Sequence, residues 1–285
     1  MRPLRTTRRS GLAALAAGAT ALAGLVAALP AQATPAPHPT AQARAVGIDR
    51  TGDAFMGWSA GPGAAAPTDR PTASSSLAAV TQTPGIDVSK WQGTVDWASW
   101  WAKGTKFAYV KATEGTTYRS PTFSAQYTGS YDVGMIRGSY HFALPDSSSG
   151  AAQADWFVDH GGGWSADGRT LPGVLDIEFN PYGATCYGKS QSGMVSWIRD
   201  FTSRYKARTG RDAVIYTATS WWTQCTGGST AFSTTNPLWV ARYSTSVGTL
   251  PAGWGYYTFW QWTDSPLDQD RFNGDLAGLR RLALG

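Results

Sequence analysis

The chain has 285 residues, room for one large domain or two small ones, and an α/β barrel of about 250 residues fits as a single unit. Its formal charge of +5 sits mostly at the start: residues 1–33 hold Arg2, Arg5, Arg8 and Arg9 and no acid, leaving 20 basic against 19 acidic side chains, a balance of +1. A nearly neutral remainder offers no electrostatic footprint for a phosphate backbone, so no nucleic-acid partner is expected.

In chain order, residues 1–33 read as a secretory signal. A basic head precedes an Ala-rich apolar run over residues 11–29, and Ala31-Gln32-Ala33 is a small-residue cleavage site. The run is broken by Gly and stops at Pro30, which makes it a poor membrane span, and no other apolar run is long enough to cross a bilayer. The product is therefore expected to be secreted, extracellular and soluble, with no membrane partner. Arg8-Arg9 suits twin-arginine export and general secretion alike.

Residues 34–83 form a leader or propeptide of low complexity, rich in Ala, Pro, Thr, Gly and Ser. Such a composition buries too little apolar surface to offset its ordering entropy. Residues 46–58 are the exception, because Ile48, Phe55, Met56 and Trp58 have the means to dock. Pro84 opens the domain that runs to residue 285.

Within residues 84–285, short apolar strands alternate with longer amphipathic stretches. Strands are expected over 85–89, 107–113, 135–142, 173–178, 213–217, 238–243 and 257–262. Several are apolar almost throughout, as in a sheet covered on both faces. Helical stretches are expected over 95–102, 121–131, 151–160 and 194–209. The last is the clearest, with Met194, Ile198, Phe201 and Tyr205 on one face and Gly210 at the C′ position. The alternation predicts α/β architecture, either a parallel barrel or a doubly wound sheet. No Gly-rich phosphate turn follows the first strand, where Asp87-Val88-Ser89-Lys90-Trp91-Gln92-Gly93 stands instead.

The strands exit in polar residues: Asp87, then Lys111 and Glu114, then Tyr140 and His141, then Asp176 and Glu178, and last Gln261 and Trp262. Active sites of βα barrels gather at such exits, although solvent exposure alone also favours polar residues there. Asp176 and Glu178 stand out. They end an apolar strand at i and i+2, so they point the same way with Cα atoms roughly 6.6 Å apart. Acids that close repel, and the one in drier surroundings keeps its proton to higher pH, which suits general acid catalysis on a glycosidic bond. A plain acidic cap or salt-bridge partner has the same sequence. Fourteen Trp and twelve Tyr are many for this length. Sugar rings stack on aromatic planes, so Tyr140, Trp221, Trp222, Trp260 and Trp262 are candidates to line a saccharide groove.

Cys186 and Cys225 are the only cysteines, and in an exported protein an even pair most simply makes one disulfide. They and His38, His141 and His160 show no metal-ligand spacing, so neither a metal nor another cofactor is expected.

Four motifs in order carry a family resemblance: residues 87–93 quoted above; Ala108-Tyr109-Val110-Lys111-Ala112-Thr113-Glu114-Gly115; Gly138-Ser139-Tyr140-His141-Phe142; and Leu175-Asp176-Ile177-Glu178. Together they resemble glycoside hydrolase family 25, the Chalaropsis-type lysozymes secreted by actinomycetes and encoded by phages. The resemblance runs from about residue 85 to the C-terminus and leaves residues 34–83 uncovered. It implies one flattened, TIM-like (β/α) barrel that cleaves the β-1,4 bond between N-acetylmuramic acid and N-acetylglucosamine in peptidoglycan. It assigns Glu178 as general acid and Asp176 as its carboxylate partner, either orienting the N-acetyl group or acting more directly on the anomeric centre. It also assigns Asp87 on the first strand, Asp270 on the last, with Asp268 close by, and Tyr140 beside the N-acetyl group. The Cys186–Cys225 pair looks like that of the secreted bacterial members.

Retaining, inverting and substrate-assisted routes stay open, since side-chain torsions span the difference in carboxyl separation. A chitinase-like barrel also ends a strand in Asp-x-Glu, but Val174 stands where that family has a further acid. A non-catalytic wall-binding module is the alternative from another class. A monomer is the default expectation.

Overall fold

The computed structural model describes residues 38–60 and 81–285, so the expected signal at 1–33 lies outside the described residues. The described residues belong to one compact unit, Pro37–Gly285. A short helix α1 (Ala41–Ala45) precedes β1 (Thr83–Val88), α2 (Trp97–Ala102), β2 (Phe107–Glu114), β3 (Tyr118–Arg119), α3 (Phe123–Asp132) and β4 (Ile136–Phe142). Then come α4 (Gly150–Phe157), β5 (Val174–Asp176), α5 (Gln191–Thr209), β6 (Val214–Thr217), α6 (Thr219–Thr226), β7 (Leu238–Ala241), β8 (Phe259–Thr263), β9 (Gln269–Phe272) and α7 (Leu276–Leu284).

Pairing runs β1-β9-β8-β7-β6-β5-β4-β2, and β1 pairs back onto β2, so eight strands close a barrel with β3 as a side hairpin on β2. Closure selects the barrel over the doubly wound sheet. All seven expected strands are present. The eighth, β9, was implied by the resemblance through Asp270 but not by the residue pattern; it runs antiparallel to both β1 and β8, and four residues with two charges leave no strand signal. Helices α6 and α7 also went unread.

Strand alternation sorts the side chains. Phe107, Tyr109, Tyr140, Val174, Tyr216, Trp239, Phe259 and Phe272 cluster inside the barrel. Their rings pack edge-on and tilted, for instance Tyr109 on Trp239 at 4.8 Å and Phe259 on Phe272 at 5.4 Å. The outward set packs under helices: Ile86, Val88, Ala108 and Val110 with Trp97 of α2, and Phe142, Leu175 and Ile215 with α4 and α5.

Helix α5 bears most of that outer layer. Ser190 caps its start by accepting from Gly193 N (3.1 Å), and Gly210 ends it with φ 76°. Its apolar face buries Met194, Trp197, Ile198, Phe201 and Tyr205. Gly150 lets α4 lie directly on it, because a Cβ there would stand 2.4 Å from Trp197 O. Tyr205 then reaches the barrel: its hydroxyl accepts from Gly173 N (2.7 Å) and donates to Gly162 O (3.0 Å). This fixes the residue from which β5 starts.

The expected disulfide is present, joining Cys186 in the loop after β5 to Cys225 in α6 with Cα atoms 5.4 Å apart.

Candidate active site

Inward residues near the strand exits form a buried polar layer above the aromatic filling: Asp87 from β1, Asp176 from β5, Gln261 from β8 and Asp270 from β9. Glu178 lies two residues past the end of β5, where Ile177 N still donates to Tyr216 O (3.0 Å) and keeps the alternation going. The strand is thus shorter than expected, yet Asp176 and Glu178 share a side, at 0% and 2% exposure.

Burial sets the charge state here. It pushes Glu178 up to about 7, although hydrogen bonds from Ser59 and Gly57 pull the other way. Asp176 is raised well above the ordinary carboxylate range, first by burial and next by the Glu178 charge. Neither Asp176 oxygen meets hydrogen-bond geometry with a described residue, and Glu178 is a neighbour short of it. Asp87 is raised by burial and then by Asp268 and Asp270, while Gln261 Nε2 donates to its Oδ2 (2.7 Å). Tyr216 in turn donates to Gln261 Oε1 (2.6 Å), which fixes the amide's orientation.

Both acids near β9 belong to the group. Asp270 pairs in register with Gly85 and Gln261, is raised by burial, and has Trp239 and Asp87 as neighbours short of hydrogen-bond geometry. Asp268, one step before the strand, accepts from Tyr243 Oη (3.1 Å), and burial pushes it up to about 8. So many carboxyls in a dry site cannot all ionise, and protons are shared among them near neutrality. A carboxyl that keeps its proton to about pH 7 is equipped for general acid chemistry.

A second cluster stands beside the first. Lys111 Nζ donates to Glu114 and to Ala54 O, and Tyr182 Oη donates to Glu114 Oε1 (2.6 Å). Burial pulls the Lys111 ammonium below its usual range, opposed by Glu114.

Leader residues cover both clusters. Gly57 N donates to Glu178 Oε1 (2.9 Å), and Ser59 donates to Oε2 through its hydroxyl and its N–H. Ile48, Met56 and Trp58, three of the four apolar residues expected to dock, are buried, and Phe55 is partly so. Nothing in the sequence pointed to Gly57 and Ser59 as partners of Glu178.

The expected aromatics divide. Tyr140 faces the acids, with its hydroxyl 3.5 Å from Met56 N. Trp262 is half-buried under the Arg271 guanidinium (4.3 Å), and none of its described contacts is with the acids. Trp221 and Trp222 lie in the outer core, Trp222 against Trp254 at 5.0 Å, and Trp260 turns outward to donate to Arg242 O (2.8 Å). These three are packing residues, placed there by the outward phase of their elements. His141 also faces outward, bonded to Gln153 (2.9 Å) and Thr113 (2.8 Å), and burial lowers it to about 4.

The model for glycosyl hydrolases family 25 matches residues 86–270. Lysozyme M1 of Streptomyces globisporus is 54% identical over 207 residues, 70% of this chain and 70% of that protein. The N,O-diacetylmuramidase of Chalaropsis is 48% identical over 211 residues, which make up 70% of this chain and 99% of that protein. Among solved structures, a muramidase from Acremonium alcalophilum superimposes with a TM-score of 0.70 at 61% identity, covering 71% of this chain and 99% of the other.

Proposed function

The chain belongs to glycosyl hydrolases family 25 and is a glycoside hydrolase of the lysozyme type, and on that premise we propose that it is a secreted N-acetylmuramidase whose acid is Glu178. Its substrate is the glycan of bacterial peptidoglycan, cut at the β-1,4 bond after N-acetylmuramic acid. The observation that carries the reading is the buried Asp176–Glu178 pair at the exit of β5, with both carboxyls raised by burial; the family resemblance of the motif makes Glu178 the acid of the two.

Protonated Glu178 delivers its proton to the glycosidic oxygen as the bond from C1 breaks, and water adds at C1 and gives up a proton to the carboxyl cluster, leaving a muramic acid reducing end and replacing the proton spent. Asp176 has two oxygens outside hydrogen-bond geometry, ready for what arrives at the anomeric centre, either the substrate acetamido N–H or the developing positive charge. Asp87 and Asp270 complete the acidic wall, and Gln261 holds Asp87 in place. Tyr140 borders the N-acetyl position, and Trp262, half-buried near the exit of β8, is the remaining candidate for a stacking contact.

The test is turbidity clearing of purified Gram-positive cell walls, with mass spectrometry of the released fragments, for the wild type and Glu178→Gln. Fragments ending in reducing muramic acid are expected. Their rate should fall by about 10²–10⁴-fold in the variant, the usual worth of a general acid. Reducing N-acetylglucosamine ends, or full activity in the variant, would overturn the assignment.

A further inference from the structure

The strongest unexplained observation is the company Glu178 keeps. All three donors to its carboxylate come from residues 57–59, outside the stretch matched by the family model. The contacts continue along the segment, whose other groups are spent on the same site. Gly52 N donates to Glu114 Oε1 (2.8 Å), Asp53 pairs with Lys90, and the Asp53 carbonyl accepts from Trp91 Nε1 (2.7 Å). The Ala54 carbonyl accepts from Lys111, while its N–H donates to Tyr182 Oη (3.2 Å). Met56 is fully buried with Tyr140, Tyr216 and Trp239, and Trp58 Nε1 donates to Phe179 O (3.2 Å).

Glycine permits the approach. Gly52 and Gly57 have φ of +96° and +83°, and a Cβ on Gly57 would stand 2.3 Å from Tyr243 Oη and 2.5 Å from Gln261 Oε1. The acids are thus dry because part of the chain lies on them, and a glycan has no room to reach Glu178 while it does.

We propose that residues 40–60 are an inhibitory pro-segment, a peptide ligand of the saccharide groove carried on the same chain, and that cutting between it and β1 followed by its release switches the enzyme on. The proposal rests on the muramidase reading above. The barrel has relatives without this part: the Acremonium structure is matched over 99% of its length yet accounts for 71% of this chain. Residues 61–80 are the tether and contain no aromatic residue. A segment joined to its site through a short linker has an effective concentration of about 1 mM, so a segment with a Kd of about 10 µM would leave about 1% of molecules open.

The test uses the chain from residue 34 onward with a recognition sequence for a site-specific protease placed within residues 61–80. Wall clearing is measured before cutting, after cutting, and after the released segment is removed by gel filtration. The uncut chain should clear walls about 100-fold more slowly than the cut and separated barrel, and adding the segment back as a peptide should restore inhibition. Gly57→Leu is the second variant. Its side chain cannot enter beside Tyr243 and Gln261, so the uncut variant should run near the rate of the separated wild-type barrel.

Equal rates before cutting and after separation, with an active barrel, would overturn the pro-segment and leave the muramidase standing. An uncut Gly57→Leu chain as slow as the wild type would also count against the segment acting by occupancy. A separated barrel that clears nothing would overturn the muramidase reading, and this inference with it.

Discussion

Asp176 and Glu178 lie two residues apart on one side of the chain at the end of β5, and burial raises both. Glu178, the proposed acid, is pushed up to about 7 by burial and can serve in that role only while protonated. Activity should therefore hold below pH 7 and decline as pH rises through that value. The place to read this is the kcat profile of the processed enzyme, where substrate fills the groove and excludes water as residues 57–59 do here. A flat profile from pH 5 to 9 would contradict the role.

For Asp176 the same burial appears as a cost to folding. Its pKa in the fold is raised, so the folded state binds a proton that the unfolded chain has released, and the charge penalises folding at high pH. Asp176→Asn should abolish most activity and yet raise the melting temperature at pH 8, by about 2–4 °C per kcal/mol of relieved burial and repulsion. That gain should vanish near pH 4. Sequence made this pair legible because a period of two is fixed by the backbone. It left Asp268 and Gln261 without roles because their importance comes from pairing across strands: Tyr243 on Asp268, Tyr216 and Asp87 on Gln261.

At the scale of elements, the strand that leads into the pair is only three residues long and owes its position to α5. Tyr205 is the link, accepting from Gly173 N at the point where β5 begins. Tyr205→Phe leaves that N–H buried without a partner, a cost of about 1–3 kcal/mol. The melting temperature should fall by several degrees, and kcat should fall with KM nearly unchanged, since the substrate groove is formed elsewhere and only the acids shift. A loss confined to KM would argue that β5 does not depend on this hydroxyl.

The expected strands were readable because each is an apolar run with a polar exit, and α5 because its face repeats over 19 residues. Strand β9 was not, since Gln269-Asp270-Arg271-Phe272 owes its strand state to β1 and β8 on either side. His141 and Trp222 misled for a related reason. Residue type suggested a site, while the phase of the element turned both into the outer core.

For the whole molecule, closing the barrel gathers Asp87, Asp176, Asp268, Asp270 and Glu178 from the two ends of the domain into one dry space, and the fold must carry their protons. Asp268 is pushed up to about 8 and Glu178 to about 7, with the other three raised as well, all first by burial. For acids raised on folding, the native state holds more protons than the unfolded state between the unfolded and folded pKa values, so stability falls as pH rises through that window. The wild type should therefore melt highest near pH 4–5 and lose stability steadily to about pH 8.

The Cys186–Cys225 bridge acts independently of this titration, because it ties the loop after β5 to α6 on the outer side. Closing a loop of 39 residues contributes about 3–4 kcal/mol by chain entropy. Cys186→Ser with Cys225→Ser should lower the melting temperature by about 6–16 °C at every pH. The two effects are then separable in one experiment. Melting curves from pH 4 to 9 should give parallel lines for the wild type and the double serine variant, while Asp268→Asn should flatten the slope between pH 5 and 8. If the serine variant changed the slope instead, the loop it anchors would be part of what keeps the acids dry.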